Sequence, residues 1–186
     1  MNDYDRSDVM PASATFMYHA MKLVEASPNR ERLEALLANP GIGTQEYLPH
    51  TVSNCFGTVC YVLGMDDHNP HNRPRFVHRY FMEELLRGNC EAASYKEAVN
   101  GIVSFLAENR DGTGHRMVHA GVFLGQTPTK SLVIFHQPDS GKPFRLEGIE
   151  DAFPDYCDAH CIGFHRVVRP VPLLSDKNYT AKDAAR

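Results

Sequence analysis

The hydrophobic periodicity of this chain changes once, near the turn segment RDGTG at residues 110–114. Before this segment, apolar residues recur every three or four positions, as they do on one face of an α-helix. After it, short runs rich in Val, Ile and Phe are separated by turn sequences, which is typical of strands. Because helices and strands are segregated along the chain rather than alternating, we predict an α+β fold with an antiparallel sheet.

Nine elements are predicted from this pattern. One helix starts at Asn54, and Ser27 and Ser94 are expected to cap two others. The segments 119–124 and 131–136 are separated by a short turn and are expected to pair as a hairpin. The predicted helices cover 13–26, 27–39, 54–64, 76–88 and 94–109, and the predicted strands cover 115–125, 130–137, 142–149 and 161–170.

The length of 186 residues, with 42% hydrophobic and 23% charged residues, is ordinary for a globular protein with one core. We therefore expect a single domain over 1–175. Within it, residues 1–45 form an N-terminal helical extension and residues 46–170 form the core. The polar segment 176–186 is expected to be a flexible tail.

Charge and cysteine content exclude several classes of protein. The formal net charge of −4 and the scattered basic residues argue against nucleic-acid binding. Five cysteines, an odd number, argue against a disulfide-stapled scaffold. No apolar run approaches the roughly 18–20 residues that span a bilayer, and the first residues do not resemble a signal peptide. We expect no membrane span, reduced thiols and synthesis in the cytoplasm, and we leave open export without a cleavable signal.

Cys55 lies where a thiol would be activated, at the start of the helix that follows Asn54. Asn is a good N-cap residue, and the partial positive charge at a helix N-terminus favours a thiolate. The N–H groups of the first turn also suit an oxyanion. Gly57 leaves room for a backbone or a substrate to approach closely. Cys60, further along the same helix, is expected to be a core residue.

Two histidines in the predicted hairpin complete a candidate catalytic triad. His119 would take the proton of the thiol as a general base. His136 would orient His119 by accepting its other ring N–H, because both lie near the same end of the hairpin. Gln137 is the alternative third residue, since an amide often fills this role.

Three segments resemble the NlpC-type cysteine peptidases, which are bacterial cell-wall enzymes, in the order that this family shows. They are NCFGTV at 54–59, HAGVFLG at 119–125 and FHQPDSGKPFRLEGI at 135–149. The family typically has Asp and Ser where this chain has Asn54 and Phe56. The resemblance implies a papain-like α+β core, with the nucleophile at a helix N-terminus packed on an antiparallel sheet, in a divergent member.

The resemblance also implies a role for each site residue. Cys55 corresponds to the nucleophile, His119 to the base and His136 to the third catalytic residue. Tyr47 corresponds to a family tyrosine that supports the oxyanion site together with the backbone N–H of the nucleophile. Asn54 is the other residue expected to support this site.

The family's usual reaction is cleavage of the γ-D-glutamyl–diamino acid bond in peptidoglycan stem peptides. The resemblance thus implies a cysteine amidase or peptidase that forms an acyl-enzyme and requires no cofactor or metal. Its partner would be a peptide or a peptidoglycan fragment. A secreted antibacterial effector, restrained by an immunity protein in the producing cell, fits a small amidase of this kind.

Two other functions stay open. The same residues would serve a thiol hydrolase, deamidase or transamidase that acts on an intracellular protein or a small amide. A non-catalytic binding module on the same scaffold is disfavoured, because all three catalytic residue types are present.

Two polar segments invite other interpretations. The loop over 66–73 contains Asp and His residues, and we interpret it as a solvated loop that borders the cleft. Four potential zinc ligands also lie close together in sequence, but their spacing matches no familiar zinc module, so we expect no metal there. These four are Cys157, His160, Cys161 and His165.

Overall fold

The computed structural model describes residues 12–39, 41–42, 52–65 and 73–168. Within these ranges, helices and one antiparallel sheet form a fold of the predicted α+β class. The helices are α1 (Ala12–Ala26), α2 (Arg30–Ala38), α3 (Cys55–Val62), α4 (Arg79–Asn89) and α5 (Ile149–Ala152), followed by a 3₁₀ turn at Phe153–Asp155. The strands are β1 (Cys90–Ala92), β2 (Gly101–Glu108), β3 (His115–Gln126), β4 (Leu132–His136), β5 (Arg145–Gly148) and β6 (Cys161–Val167).

The sheet separates two hydrophobic cores. Its strands lie in the order β1-β6-β2-β3-β4-β5, and all neighbours are antiparallel. On one face, the helices α1 to α4 contribute to a single large core, so the predicted N-terminal extension shares its core with the helix of Cys55. On the other face, Phe105 and Phe123 pack against Ile149 and its neighbours. None of the helices in the described ranges is long and apolar enough to cross a membrane.

The helix predicted over 94–109 is wrong. Ser94 and Glu97 form only one turn, in which the Ser94 hydroxyl donates to the Glu97 carboxylate at 2.7 Å. The chain then turns at Asn100, whose φ is +60°, and enters β2 at Gly101. Most of β2 is buried on both faces, so apolar and polar residues do not alternate along it. Such an apolar run cannot be distinguished from a buried helix by its period alone.

The start of α2 also differs from the prediction. The helix begins at Arg30 with Asn29 at its N-cap, whereas Ser27 was expected to cap it. The Ser27 hydroxyl instead accepts a hydrogen bond from the Asn29 N–H at 3.2 Å and closes the turn before the helix. The apolar stripe of the helix is confirmed, since Leu33 and Leu36 are buried. The short edge strand β1 was not predicted, and the segment 176–186 lies outside the described residues.

The predicted hairpin of β3 and β4 is confirmed. Val122 pairs with Phe135, and Phe123 pairs with Ile134. A β-bulge interrupts the pairing of β3 with β2, next to the Phe105–His119 pair. The hairpin and this bulge place His119 and His136 on the same face of the sheet, where the Phe105 core lies.

Candidate functional site

Cys55 is the first residue of α3, as predicted, and Asn54 is its N-cap. The Asn54 side-chain oxygen accepts a hydrogen bond from the Gly57 N–H at 2.9 Å. This bond satisfies one of the unpaired N–H groups of the first turn and defines where the helix begins. Cys60 is fully buried, which confirms its predicted place in the core.

The Asn54 amide also anchors the segment that precedes α4. Its nitrogen donates to the Val77 carbonyl at 2.8 Å, and its oxygen accepts from the Val77 N–H at 3.1 Å. The backbone of the same segment fills the space beside Gly57, because a Cβ there would come within 1.6 Å of the Arg75 carbonyl oxygen. Glycine at residue 57 therefore allows the Arg75 backbone to pack against the first turn of α3. An aspartate at 54 would preserve the cap but could not donate to Val77.

His119, His136 and Glu147 form a continuous chain of hydrogen bonds. The His119 Nε2 lies 2.7 Å from the His136 Nδ1, and the His136 Nε2 lies 2.5 Å from a Glu147 carboxylate oxygen. Both histidines are 1% exposed. Gly121 provides space for this chain, since a Cβ there would crowd the Cβ of His136 at 3.2 Å. The structure thus brings together the two histidines that the hairpin predicted.

Tyr156 follows the 3₁₀ turn and covers the His119 ring. The two rings are stacked, with centroids 4.1 Å apart and planes at 18°. The tyrosine hydroxyl donates to the Pro138 carbonyl at 2.6 Å and also lies 3.2 Å from the His119 Nε2. Burial raises the pKa of Tyr156, and the nearby Cys55 and carboxylates raise it further, so the hydroxyl stays protonated.

Glu147 and Tyr156 were missed in the sequence. The position of Glu147 depends on the β4–β5 register. Glu147 lies two residues after Arg145, which pairs with His136, so the side chains of Glu147 and His136 share a face of the sheet. The sequence predicted the two strands but not this register. For Tyr156, no local pattern indicates a site, because the residue belongs to the irregular connection between the 3₁₀ turn and β6.

The Cys55 thiol lies against the strand that carries His119. Backbone N–H groups of Ala120, Phe56 and Cys55 itself favour its ionised form. Burial outweighs these groups and raises the pKa of Cys55 to about 11. Burial also lowers the pKa of His119 well below its usual value, with a smaller contribution from His136. At neutral pH, the thiol and the imidazole are therefore both uncharged.

Among the described residues, no hydrogen bond joins the Cys55 sulfur to His119. The two residues meet instead through Ala120, which follows His119 in β3 and directs its N–H toward the sulfur. Hydrogen bonds of catalytic pairs are often long before substrate binds and shorten in the complex.

Gln137, the alternative third residue, has a different set of partners. Its oxygen accepts from the Ser53 hydroxyl at 2.7 Å, and its nitrogen donates to the Lys142 carbonyl at 2.7 Å. These bonds attach the residue before Asn54 to the end of β4. Gln137 thus fastens α3 to the hairpin, and His136 is the residue that contacts His119.

Tyr47, the residue expected to support the oxyanion, lies outside the described residues, as does most of the loop over 66–73. The four residues considered as zinc ligands do not converge. Cys157 and Cys161 are exposed, and the His165 Nε2 lies 2.8 Å from the buried Ser104 hydroxyl. Over the described part of the chain, no group of three or more His, Cys, Asp or Glu side chains is arranged to hold a metal ion.

A comparison of the chain with models of protein families, with curated proteins and with solved structures finds no match. The functional argument therefore depends on the residues of the site and their arrangement.

Proposed function

We propose that this protein is a cysteine amidase or peptidase with a papain-like core of the NlpC type. One observation carries the proposal. Hydrogen bonds join Glu147, His136 and His119, and the next residue, Ala120, directs its backbone N–H toward the Cys55 sulfur and favours the thiolate. A nucleophile at a helix N-terminus, a buried imidazole and a group that orients it are the parts that acyl transfer by a thiol requires.

The proposed reaction starts with both the Cys55 thiol and the His119 imidazole uncharged. When an amide substrate binds, His119 takes the Cys55 proton while the sulfur attacks the carbonyl carbon. The Cys55 N–H, at the start of α3, donates to the developing oxyanion; losing one such donor typically costs about 3–4 kcal/mol in the transition state. The imidazolium of His119 then protonates the leaving amine, and an acyl-enzyme remains.

Hydrolysis of the acyl-enzyme reverses these roles. His119, again neutral, takes a proton from water as the water oxygen attacks the thioester carbon. The second tetrahedral intermediate collapses, the C–S bond breaks, and the sulfur recovers its proton from His119. Because burial lowers the pKa of His119, the imidazole is unprotonated when each step begins.

For the substrate, we propose the γ-D-glutamyl–diamino acid bond of peptidoglycan stem peptides. The order of the three sequence segments supports this choice. The site also has negative charge nearby: Asp139 acts on Cys55, and Asp139, Asp155 and Glu147 all act on Tyr156. The diamino acid has a second, distal amino group besides the one in the scissile amide, and a negative potential suits that cation.

The test is digestion of purified peptidoglycan by the wild-type protein and by Cys55→Ala, followed by mass analysis of the muropeptides. Cys157→Ala is the matched control, because Cys157 is an exposed thiol. We expect new stem-peptide cleavage with the wild type and the control, and none with Cys55→Ala. Cleavage that persists in Cys55→Ala would overturn the proposal. Absence of cleavage, with Cys55 still readily acylated by activated amides or esters, would redirect it to a different amide substrate.

A further inference from the structure

The donor and the acceptor of each hydrogen bond around His119 can be assigned from the chemistry of the groups that it joins. A neutral imidazole has one ring nitrogen that donates and one that accepts. An ionised carboxylate only accepts, and the pKa of Glu147 is lowered first by its hydrogen bond with His136. The His136 Nε2 must therefore carry the proton that Glu147 accepts, at 2.5 Å. In neutral His136, the Nδ1 is then left with a lone pair.

The contact between the two histidines follows from this assignment. The His136 Nδ1 accepts, so the His119 Nε2, 2.7 Å away, donates. A protonated His136 would reverse this bond by donating from its Nδ1. The direction therefore needs an independent observation at His119.

Tyr156 supplies that observation. The hydroxyl has one hydrogen, and the Pro138 carbonyl, which can only accept, lies 2.6 Å from it. The same oxygen lies 3.2 Å from the His119 Nε2, so it can only accept a hydrogen bond from that nitrogen. The His119 Nε2 is consequently a shared donor to His136 and Tyr156, because a donating His136 Nδ1 would leave the Tyr156 oxygen facing a lone pair on His119.

The remaining nitrogen of His119 is its Nδ1, which holds the lone pair. This is the ring nitrogen nearer to the residue's own backbone, and the Cys55 thiol lies against the backbone N–H of the next residue, Ala120. We infer that Glu147 is a positioning residue: through His136, it selects the His119 tautomer whose Nδ1 is the base for Cys55. This inference rests on the proposed function and adds a fourth member, Glu147, to the Cys55–His119–His136 set.

The inference is tested with Glu147→Gln. Glutamine fills the same volume and still forms a hydrogen bond with His136. Because it can donate as well as accept, it no longer determines which ring nitrogens of the two histidines donate. Glu150→Gln is the matched control, because Glu150 is an exposed carboxylate three residues away, on α5. Nitrogen-15 NMR of histidine-labelled protein reads the protonation of each ring nitrogen at neutral pH without any substrate.

In the wild type and in Glu150→Gln, we expect a proton on the His119 Nε2 and none on its Nδ1. In Glu147→Gln, we expect a mixture of the two tautomers. A proton on Nδ1 in the wild type, or an unchanged His119 spectrum in Glu147→Gln, would overturn the inference. The unfolding midpoint of each variant is measured alongside, so that a change in folding is not mistaken for a change of tautomer.

Kinetics on peptidoglycan fragments provide the second readout. We expect kcat of Glu147→Gln to fall about 10- to 100-fold, the range for partners that orient a functional histidine, with KM unchanged. A loss confined to KM would contradict a positioning role. If the wild type cleaves no peptidoglycan, the proposed substrate is wrong, but the NMR result still decides the tautomer.

Discussion

Gly57 lies so close to Arg75 that a Cβ at residue 57 would come within 1.6 Å of the Arg75 carbonyl oxygen. The contact joins the first turn of α3 to the segment that leads into α4. Cys55 lies two residues before Gly57, in the same first turn of α3.

Gly57→Ala should therefore destabilise the protein. The backbone at Arg75 would have to move, and we expect a loss of about 3 kcal/mol or more in the free energy of unfolding, the upper end of overpacking costs. Chemical denaturation measures this loss. Gly88→Ala in α4 is the control, since nothing lies within 4 Å of a Cβ there and alanine favours a helix, so stability should rise by about 0.5–1 kcal/mol. Equal stabilities of the two variants would contradict the close contact.

Asn54→Asp should separate the two functions of this side chain. The carboxylate would still cap α3 through the Gly57 N–H but could not donate to the Val77 carbonyl, which it would face at close range. We expect a loss of about 1–3 kcal/mol in the free energy of unfolding, the cost of a buried acceptor without its donor. Asn29→Asp is the control, because the Asn29 side chain makes no capping hydrogen bond, and its effect should stay within about 0.5 kcal/mol.

Alkylation of Cys55 should depend steeply on pH. The thiolate is the reactive form, and the pKa of Cys55 is raised to about 11. Below this pKa the thiolate fraction rises with pH, so the rate with iodoacetamide should increase about tenfold per pH unit between pH 7 and 10. Mass spectrometry follows each cysteine separately, and exposed Cys157 serves as an internal reference. A rate that is already constant near neutral pH would indicate a thiolate–imidazolium pair instead.

Tyr156→Phe should lower kcat with little effect on folding. The ring that stacks on His119 is retained, while one of the two acceptors for the His119 Nε2–H is removed. We expect a fall of about 5- to 10-fold, which corresponds to one hydrogen bond of about 1–1.4 kcal/mol. Tyr95→Phe is the control, because Tyr95 packs edge-on against Phe164 on the same face of the sheet. Similar kcat values for both variants would argue against a role for the Tyr156 hydroxyl.

Much of the local structure was predictable because its causes lie within a few residues. Asn54 caps α3 through a side chain three residues from the N–H that it binds, so Cys55 was correctly assigned to a helix N-terminus. The β3–β4 hairpin follows from two adjacent strands and a short turn, and it brings His119 and His136 within 2.7 Å. The strand β2 was missed because it is buried on both faces and has no alternating pattern.

The sequence by itself determined the α+β class, the helix N-terminus at Cys55 and the pairing of the two histidines. The last two depend on neighbours in the chain. Only the tertiary structure decided which groups surround this pair. Glu147 reaches His136 through the register of β5, and Tyr156 reaches His119 from a connection 37 residues further along. The Arg75 backbone fills the space at Gly57. Contacts of this kind depend on packing between distant segments, and no local pattern of residue types records them.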